Sequence, residues 1–397
     1  MKVLHNVYTL GRSASGVGEA VRALSRAQAR RMPVGIVLQD RPEATFPLEE
    51  AAGIQLHRLP PHRLARFGFH PRFLSDSRLR GYDIVHQHSS WTAHSILSIL
   101  LSYSGARIVY TPHSALDPGL SGNGSFRKAV AWAVYERWVL RRAAAIHALS
   151  PRELADVRAR GIRTPIAVIP NGVDDDVLDR PARPGHLRAR LGLPEGRKVL
   201  LFMSRVHPVK GIDGLISQLA GQPDFRASWV LVVAGPGTPA FRAHLDALVQ
   251  RHGLGDLIFF SEPLYDHDTL DAYDDCDGFV LPSLIEGMPL AVLKAMARRR
   301  AVLTTVATPI EEIDTERAGL RSGLSVAERE QALAAFLALD DEELAAMGER
   351  GHAAVARTYR WSQVSEMVQA LYTWLCMPGT PPPPFVSFAP RPGHRRK

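Results

Sequence analysis

The sequence predicts an α/β protein built from parallel sheets in two domains, and three observations carry that expectation. Short apolar, β-branched runs alternate with helical stretches along almost the whole chain, the pattern of repeated strand–helix–strand units. The 397 residues are 46% hydrophobic, enough to fill two ordinary cores. A turn-forming cluster, Pro170-Asn171-Gly172, interrupts the alternation where one domain would end and the next begin.

In chain order, strands are expected at 2–8, 34–38, 54–58, 83–87, 107–111, 144–148 and 166–169, then at 199–203, 229–234, 257–261, 278–282 and 301–305. The opening MKVLHNVYTL reads as the first of these strands, not as a signal peptide. The longest apolar run, 96–103, is too short to span a bilayer and holds two serines. Residues 362–375 read as a final helix, and 378–397 is Pro-rich, ends in Arg395, Arg396 and Lys397, and reads as a disordered tail. Cys276 and Cys376 match no metal spacing, which favours a reducing cytoplasm.

Charge is uneven. Residues 1–170 carry 23 Lys and Arg against 11 Asp and Glu, whereas 171–397 carry 25 against 29. An excess confined to one half points to an anionic partner there. Nucleic acid is disfavoured, because no zinc-finger spacing, aromatic RNA-binding signature or helix-turn-helix pattern is present. An acidic membrane surface fits better. Residues 60–80 interleave Arg63, Arg66, Arg72, Arg78 and Arg80 with Phe67, Phe69 and Phe73, a composition suited to anionic headgroups, while Trp132 to Trp138 reads as core packing.

Two segments carry chemistry. SRVHPVKG at 204–211 follows an apolar strand and sets Arg205 and Lys210 at its exit, where α/β sheets bind ligands. An Arg fork and a Lys point charge suit a diphosphate. LPSLIEGMPLAVLKAMA at 281–297 follows another buried strand and sets Glu286 in a Gly/Pro turn before a helix starting near Pro289. N–H groups at such a helix start attract phosphate, and a carboxylate beside them accepts hydrogen bonds from sugar hydroxyls. Gly16 and Gly18, in SGVG, follow the first strand and would let a ligand approach the backbone. GRSASGVG lacks the three-glycine dinucleotide pattern and Asp40 lies in a polar stretch, so a nicotinamide-dependent enzyme is the weaker rival. Asp274-Asp275-Cys276-Asp277 reads as a helix-to-strand turn, and no His, Cys or Asp cluster has metal-ligand spacing.

Together with TPHSALDP at 111–118 and IPNGVD at 169–174, these motifs resemble the retaining glycosyltransferases of family 4 over nearly all of residues 1–376. The resemblance is strongest to bacterial enzymes of exopolysaccharide and cell-surface glycan synthesis. It implies the GT-B architecture, two Rossmann-like domains facing across a cleft. Residues 1–172, with a crossover helix at about 358–376, would form the acceptor-side domain. Residues 173–357 would bind the nucleotide sugar, and 377–397 would be the tail.

The resemblance also implies roles. Arg205 and Lys210 would bind the donor phosphates, Glu286 the donor sugar, and His113, after the 107–111 strand, the transferred sugar. Gly16, Gly18, Gly287, Met288, Pro289, Leu290 and Lys294 complete the implied donor site, and His86 and His88 are acceptor-side candidates. The expected enzyme is a retaining hexosyltransferase with a glycan or lipid-linked acceptor, cytoplasmic or peripheral on the inner face of the cytoplasmic membrane. It would need neither cofactor nor metal. One departure stands out: the second glutamate of the family's Glu-x7-Glu pair is Lys294, and an ammonium only donates hydrogen bonds where relatives accept them from ribose. That substitution motivates the alternative of a non-catalytic nucleotide-sugar-binding or scaffold protein.

Overall fold

The computed structural model describes residues 1–10, 15–39, 53–60, 62–64, 68–88, 90–121 and 125–389. Asp40, Arg66, Phe67, Arg395, Arg396 and Lys397, named above, lie outside these residues. The strands are β1 (Val3–Asn6), β2 (Val34–Gln39), β3 (Ile54–Leu59), β4 (Ile84–Gln87), β5 (Arg107–Tyr110), β6 (Ala145–Ala148), β7 (Ile166–Val168), β8 (Lys198–Met203), β9 (Trp229–Ala234), β10 (Ile258–Ser261), β11 (Gly278–Leu281), β12 (Ala301–Thr305), β13 (Gly319–Ser322) and β14 (Val386–Ser387). The chain divides into two compact units, Met1–Gly172 with Trp361–Lys397, and Val173–Arg360.

The first unit holds an eight-stranded sheet in the order β14-β7-β6-β5-β4-β1-β2-β3. Strands β1 to β7 run parallel, and β1 and β2 are buried at every position. Near-continuous apolar runs such as Val34–Leu38 follow from that burial, because helices cover both faces of a parallel sheet. The order reverses between β1 and β4: β2 and β3 extend one way, β5 to β7 the other. Val139, Leu140, Ile146 and Ile162 pack one part of the core, and Leu4, Val37, Val85 and Leu97 another.

The second unit holds a six-stranded parallel sheet, β10-β9-β8-β11-β12-β13. Here the reversal falls between β8 and β11. In an open α/β sheet such a reversal opens a crevice at the carboxyl ends of the two strands, where ligands bind.

Three expectations need correction. Gly16 and Gly18 lie in the first turn of the Ser15–Ala29 helix, not in a loop before it. The stretch after the last helix is not simply a disordered tail: β14 pairs antiparallel with β7, Val386 opposite Ala167. Pro-rich composition hid a two-residue edge strand whose backbone does the pairing. β13 also went unanticipated, since Gly319-Leu320-Arg321-Ser322 has no apolar run. The last helix, Trp361–Cys376, belongs to the first unit and packs on Ser15–Ala29.

Candidate active site

In the second unit the loops after β8, β9 and β11 are locked together by backbone contacts. Ser204 and Val206 donate to the carbonyls of Ala234 and Pro236, and Leu284 donates to Val209. Gly235 has φ 141° and stands so close to Ser204 that a Cβ would overlap its carbonyl oxygen. Gly211, at φ 69°, approaches the Pro282 carbonyl in the same way. Only glycine tolerates either position. The result is a tight rim at the β8/β11 reversal.

Lys210 and Glu286 meet on that rim. Lys210 Nζ donates to Glu286 Oε1 at 2.6 Å, with side-chain exposures of 12% and 8%. Ser283 Oγ donates to the same oxygen at 2.6 Å, and Ser283 is itself held where Thr305 Oγ1 donates to its carbonyl. A carboxylate this buried is tolerable only because it is paired and hydrogen-bonded. Arg205, in the same loop after β8 as Lys210, is exposed. Gly287 and Pro289 lead into the Leu290–Ala297 helix, whose hydrogen-bond ladder begins where the Val292 and Leu293 N–H groups donate to the Pro289 carbonyl, so the positive end of the helix lies at Leu290 and Ala291. Met288 and Leu290 are buried, and Lys294 is half-buried in the helix's second turn. The two segments singled out in the sequence therefore converge at one point.

Asp274, Asp275 and Asp277 are structural, as the turn reading expected. Asp274 pairs with the buried Arg298 at 2.6 Å, Asp275 accepts the N–H groups of Gly185, Leu187 and Arg188, and Asp277 accepts from Arg188 and Val199.

At the first unit's reversal the chemistry is different. His5 on β1 lies opposite His86 on β4, and His88 continues the same face. His86 and His88, read above as acceptor-side candidates, are fully buried. His86 bonds Tyr372 Oη at 2.5 Å through Nδ1 and Thr111 Oγ1 at 2.7 Å through Nε2, so a direct contact with an acceptor is not what its position offers. Burial holds His5 down to about 4, and His86 and His88 well below the usual imidazole value. All three are neutral at pH 7, and a neutral ring has one N–H and one lone pair. His5 Nε2–H donates to Gln28 Oε1 at 2.7 Å, so His5 Nδ1 accepts from His88 Nε2 at 2.9 Å. His88 Nδ1 then accepts from His113 Nε2 at 3.1 Å. This chain of bonds puts the His113 proton on Nε2 and leaves Nδ1 as an acceptor.

The nitrogens of His5, His86 and His88 lie within 4.8 Å of one another, a spacing compatible with a metal ion. That corrects the expectation of no such cluster, which the sequence hides because residue 5 is far from 86. Every one of these six nitrogens already has a hydrogen-bond partner, so a metal would have to displace one.

His113 and Ser114 both adopt the left-handed region, with φ 51° and 61°. Non-glycine residues rarely do so unless the surroundings hold them there. Glu153 supplies the hold. Its carboxylate accepts from Ser114 N and from Leu149 N at 2.6 Å, and burial lifts its pKa to about 7. Sequence reasoning missed Glu153, because Ser150-Pro-Arg-Glu153 reads as an ordinary helix cap, and Ser150 does cap the Pro151–Ala159 helix. Gly18 is buried and Gly16 exposed at the start of the Ser15–Ala29 helix, close in sequence to β1.

Comparison with known proteins identifies the family and the fold. Residues 15–172 match the family model described as a glycosyl transferase 4-like domain, and 186–352 match glycosyl transferases group 1. The chain is 26% identical to a D-inositol 3-phosphate glycosyltransferase of Mycolicibacterium smegmatis, over 94% of this chain and 85% of the relative. It is 29% identical to the lipopolysaccharide core biosynthesis mannosyltransferase LpsB of Rhizobium meliloti, over 63% of this chain and 70% of that protein. Among solved structures it superposes on sucrose-phosphate synthase from Thermosynechococcus elongatus with a TM-score of 0.77, 22% identity, and coverage of 94% and 98%. Anabaena Alr3699/HepE in complex with UDP-glucose gives 0.76, at 18% identity, covering 94% of this chain and all of that one.

Proposed function

Because the chain belongs to the glycosyltransferases of the two-domain GT-B fold, we propose that it moves a hexose from a nucleoside diphosphate sugar to a glycan or lipid-linked acceptor, with retention of anomeric configuration. The observation that carries this reading is the Lys210–Glu286 pair at the β8/β11 reversal, with Arg205 exposed in the same loop as Lys210. Two cations and a helix start match a diphosphate, and a carboxylate matches sugar hydroxyls. An arriving diphosphate competes for Lys210, which releases Glu286 to accept hydrogen bonds from the hexose. Without donor, each charge neutralises the other.

In the transfer itself, the bond between the anomeric carbon and the leaving phosphate oxygen breaks. The bond to the acceptor oxygen forms on the same face of the sugar, and the acceptor's proton passes to the departing phosphate. Arg205 and Lys210 stabilise the charge that grows on that phosphate, the role a divalent cation takes in other enzymes, so the reaction needs no metal in this reading. His113, its Nδ1 lone pair available, accepts a hydrogen bond from the transferred sugar. Gly16 and Gly18, in a helix's first turn, give backbone N–H groups for the donor. Lys294 donates to ribose or diphosphate where relatives have an acceptor. The lipopolysaccharide mannosyltransferase among the relatives supports a cell-surface glycan as product. The setting is cytoplasmic, at the inner face of the membrane. No helix of the described residues is long and apolar enough to cross it.

The test is a thermal-shift panel of UDP, GDP and ADP with their common hexose conjugates, followed by turnover of whichever donor stabilises the protein. One nucleotide series should raise the melting temperature, and its sugar conjugate should be consumed when acceptor is present. Absence of stabilisation by every series would overturn the proposal.

A further inference from the structure

The Ser125–Ala131 helix, the π-helical turn Trp132–Glu136 and the Arg137–Arg142 helix form one continuous rod in the first unit. Along it Phe126, Val130, Val134 and Trp138 are 79%, 45%, 65% and 53% exposed. They recur every four residues. On a regular α-helix that spacing drifts by about 40° per step, so four such residues would wind around the rod. The π turn at Trp132–Glu136 holds more residues per turn than an α turn and so offsets that drift, and all four side chains are exposed. The same turn directs Glu136 inward, where it accepts from Tyr110 Oη and from the Trp91 N–H.

Glu136 is the one acidic residue in 125–142, and it is fully buried. The exposed rod is therefore apolar and basic only. Arg127, Arg141 and Arg142 are exposed, and Lys128 and Arg137 half-buried. Tyr103, 73% exposed, stands beside its end, where the Arg142 guanidinium lies 4.2 Å from its ring centre.

We propose that this rod is the surface by which the protein docks on an anionic lipid bilayer, the apolar stripe entering the headgroup region and the arginines meeting lipid phosphates. An apolar stripe bordered by cations is what an interfacial helix requires. A second copy of the chain fits poorly, because a two-fold contact through this face would set arginine against arginine. Among the described residues of the 60–80 segment, which the sequence favoured, the aromatic rings do not form such a stripe. Phe73 is buried in the core with Phe69 packed against it, and Arg78 is paired with Asp76 at 2.7 Å. The proposal deepens the membrane part of the function above, but its test reads no glycosyl transfer, so either can fail alone.

Co-sedimentation with vesicles of phosphatidylcholine alone, and of phosphatidylcholine and phosphatidylglycerol in equal parts, tests it on the full chain. Wild type should partition onto the mixed vesicles. Val134→Glu with Trp138→Glu should weaken that partition by more than about tenfold, and Arg141→Gln with Arg142→Gln by about fivefold per charge. Arg63→Gln with Arg72→Gln should act only through the weaker long-range attraction, and melting temperatures should confirm that all variants fold. Wild type that ignores phosphatidylglycerol, or a Val134→Glu/Trp138→Glu variant that binds like wild type, overturns the proposal. So does a dimer that dissociates in that variant, which would assign the stripe to self-association.

Discussion

The two sheets reverse their strand order in the same manner, yet one reversal carries charge and the other does not. At β8/β11 a lysine and a glutamate sit 2.6 Å apart, with an arginine exposed in the lysine's loop. At β1/β4 the side chains are histidines, held neutral by burial and bonded to one another. The same strand reversal therefore offers an anion a seat in one unit and offers hydroxyl groups a fixed, uncharged partner in the other. A diphosphate finds compensating side-chain charge at the first and none at the second. In the proposed function, that contrast assigns the donor diphosphate to the second unit and the orienting of His113 to the first unit's histidines.

The largest expected effect is on the charged side. Arg205→Ala and Lys210→Ala each remove a charge-assisted contact worth roughly 1.5–3 kcal/mol, so each should cut transfer at least tenfold and the double variant at least a hundredfold, by roughly the arithmetic of free energy to rate. Steady-state turnover of the preferred donor measures this. Unchanged rates in both single variants would erase the distinction between the reversals.

The neutral side should respond differently. His88→Ala breaks the bonds that set the His113 tautomer without touching the second unit, so it should lower kcat by about tenfold while leaving donor KM unchanged. A rise in donor KM with kcat intact would mean that the histidines serve donor binding after all.

Acid sharpens the comparison further. His5, His86, His88, His94, His113 and His147 all have folded-state pKa values depressed by burial, to about 4 for His5, His94 and His147 and about 3 for His113. Between those values and the unfolded value of about 6.5 the unfolded chain binds more protons, so stability is present above that range and is lost as pH falls through it. Glu136 and Glu153, lifted to about 7, act in the opposite sense between the usual carboxylate value and 7. Six histidines against two glutamates leave the net slope positive. The melting temperature should fall by several degrees or more from about pH 7.5 to about pH 5, with the first unit losing protection from hydrogen exchange before the second. Equal loss in both units would contradict the assignment of the neutral cluster to one of them.

The smallest effect concerns Lys294. Lys294→Ala should weaken donor binding by less than about tenfold, the loss of one contact at a half-buried site, as read by calorimetric titration. Lys294→Glu should bind at least as well as the alanine variant, because it restores an acceptor for ribose. If only Lys294→Glu binds donor and wild type does not, Lys294 marks a lost activity.

The charged site was legible because its parts are local. Arg205, Lys210 and Glu286 each follow an apolar run that fixes a strand end, and strand ends in such sheets converge. The strands themselves were legible for the same reason: burial on both faces forces continuous apolar runs, as in β8 and β9. The histidine cluster was not, because His5, His86, His113 and His147 come from four strands or strand ends, and only the β6-β5-β4-β1 order brings them together. The roles of Glu153 and Glu136 were hidden by local patterns that explain them too easily, a helix cap in one case and an exposed helix charge in the other. The reading of Trp132 to Trp138 as core packing fails for a related reason, since Val134 and Trp138 are exposed. Phe69 and Phe73 resemble a membrane face by composition but pack inward, whereas the stripe ending at Trp138 emerges only once a π turn resets the helix.

Calorimetric titration of the stabilising nucleoside diphosphate into wild type, Lys210→Ala and His88→Ala tests the central contrast most directly, with melting temperatures confirming that each variant is folded. The charged reversal as donor site requires that Lys210→Ala lose most of the affinity while His88→Ala binds like wild type. Retained affinity in Lys210→Ala, or affinity lost in His88→Ala instead, would contradict it.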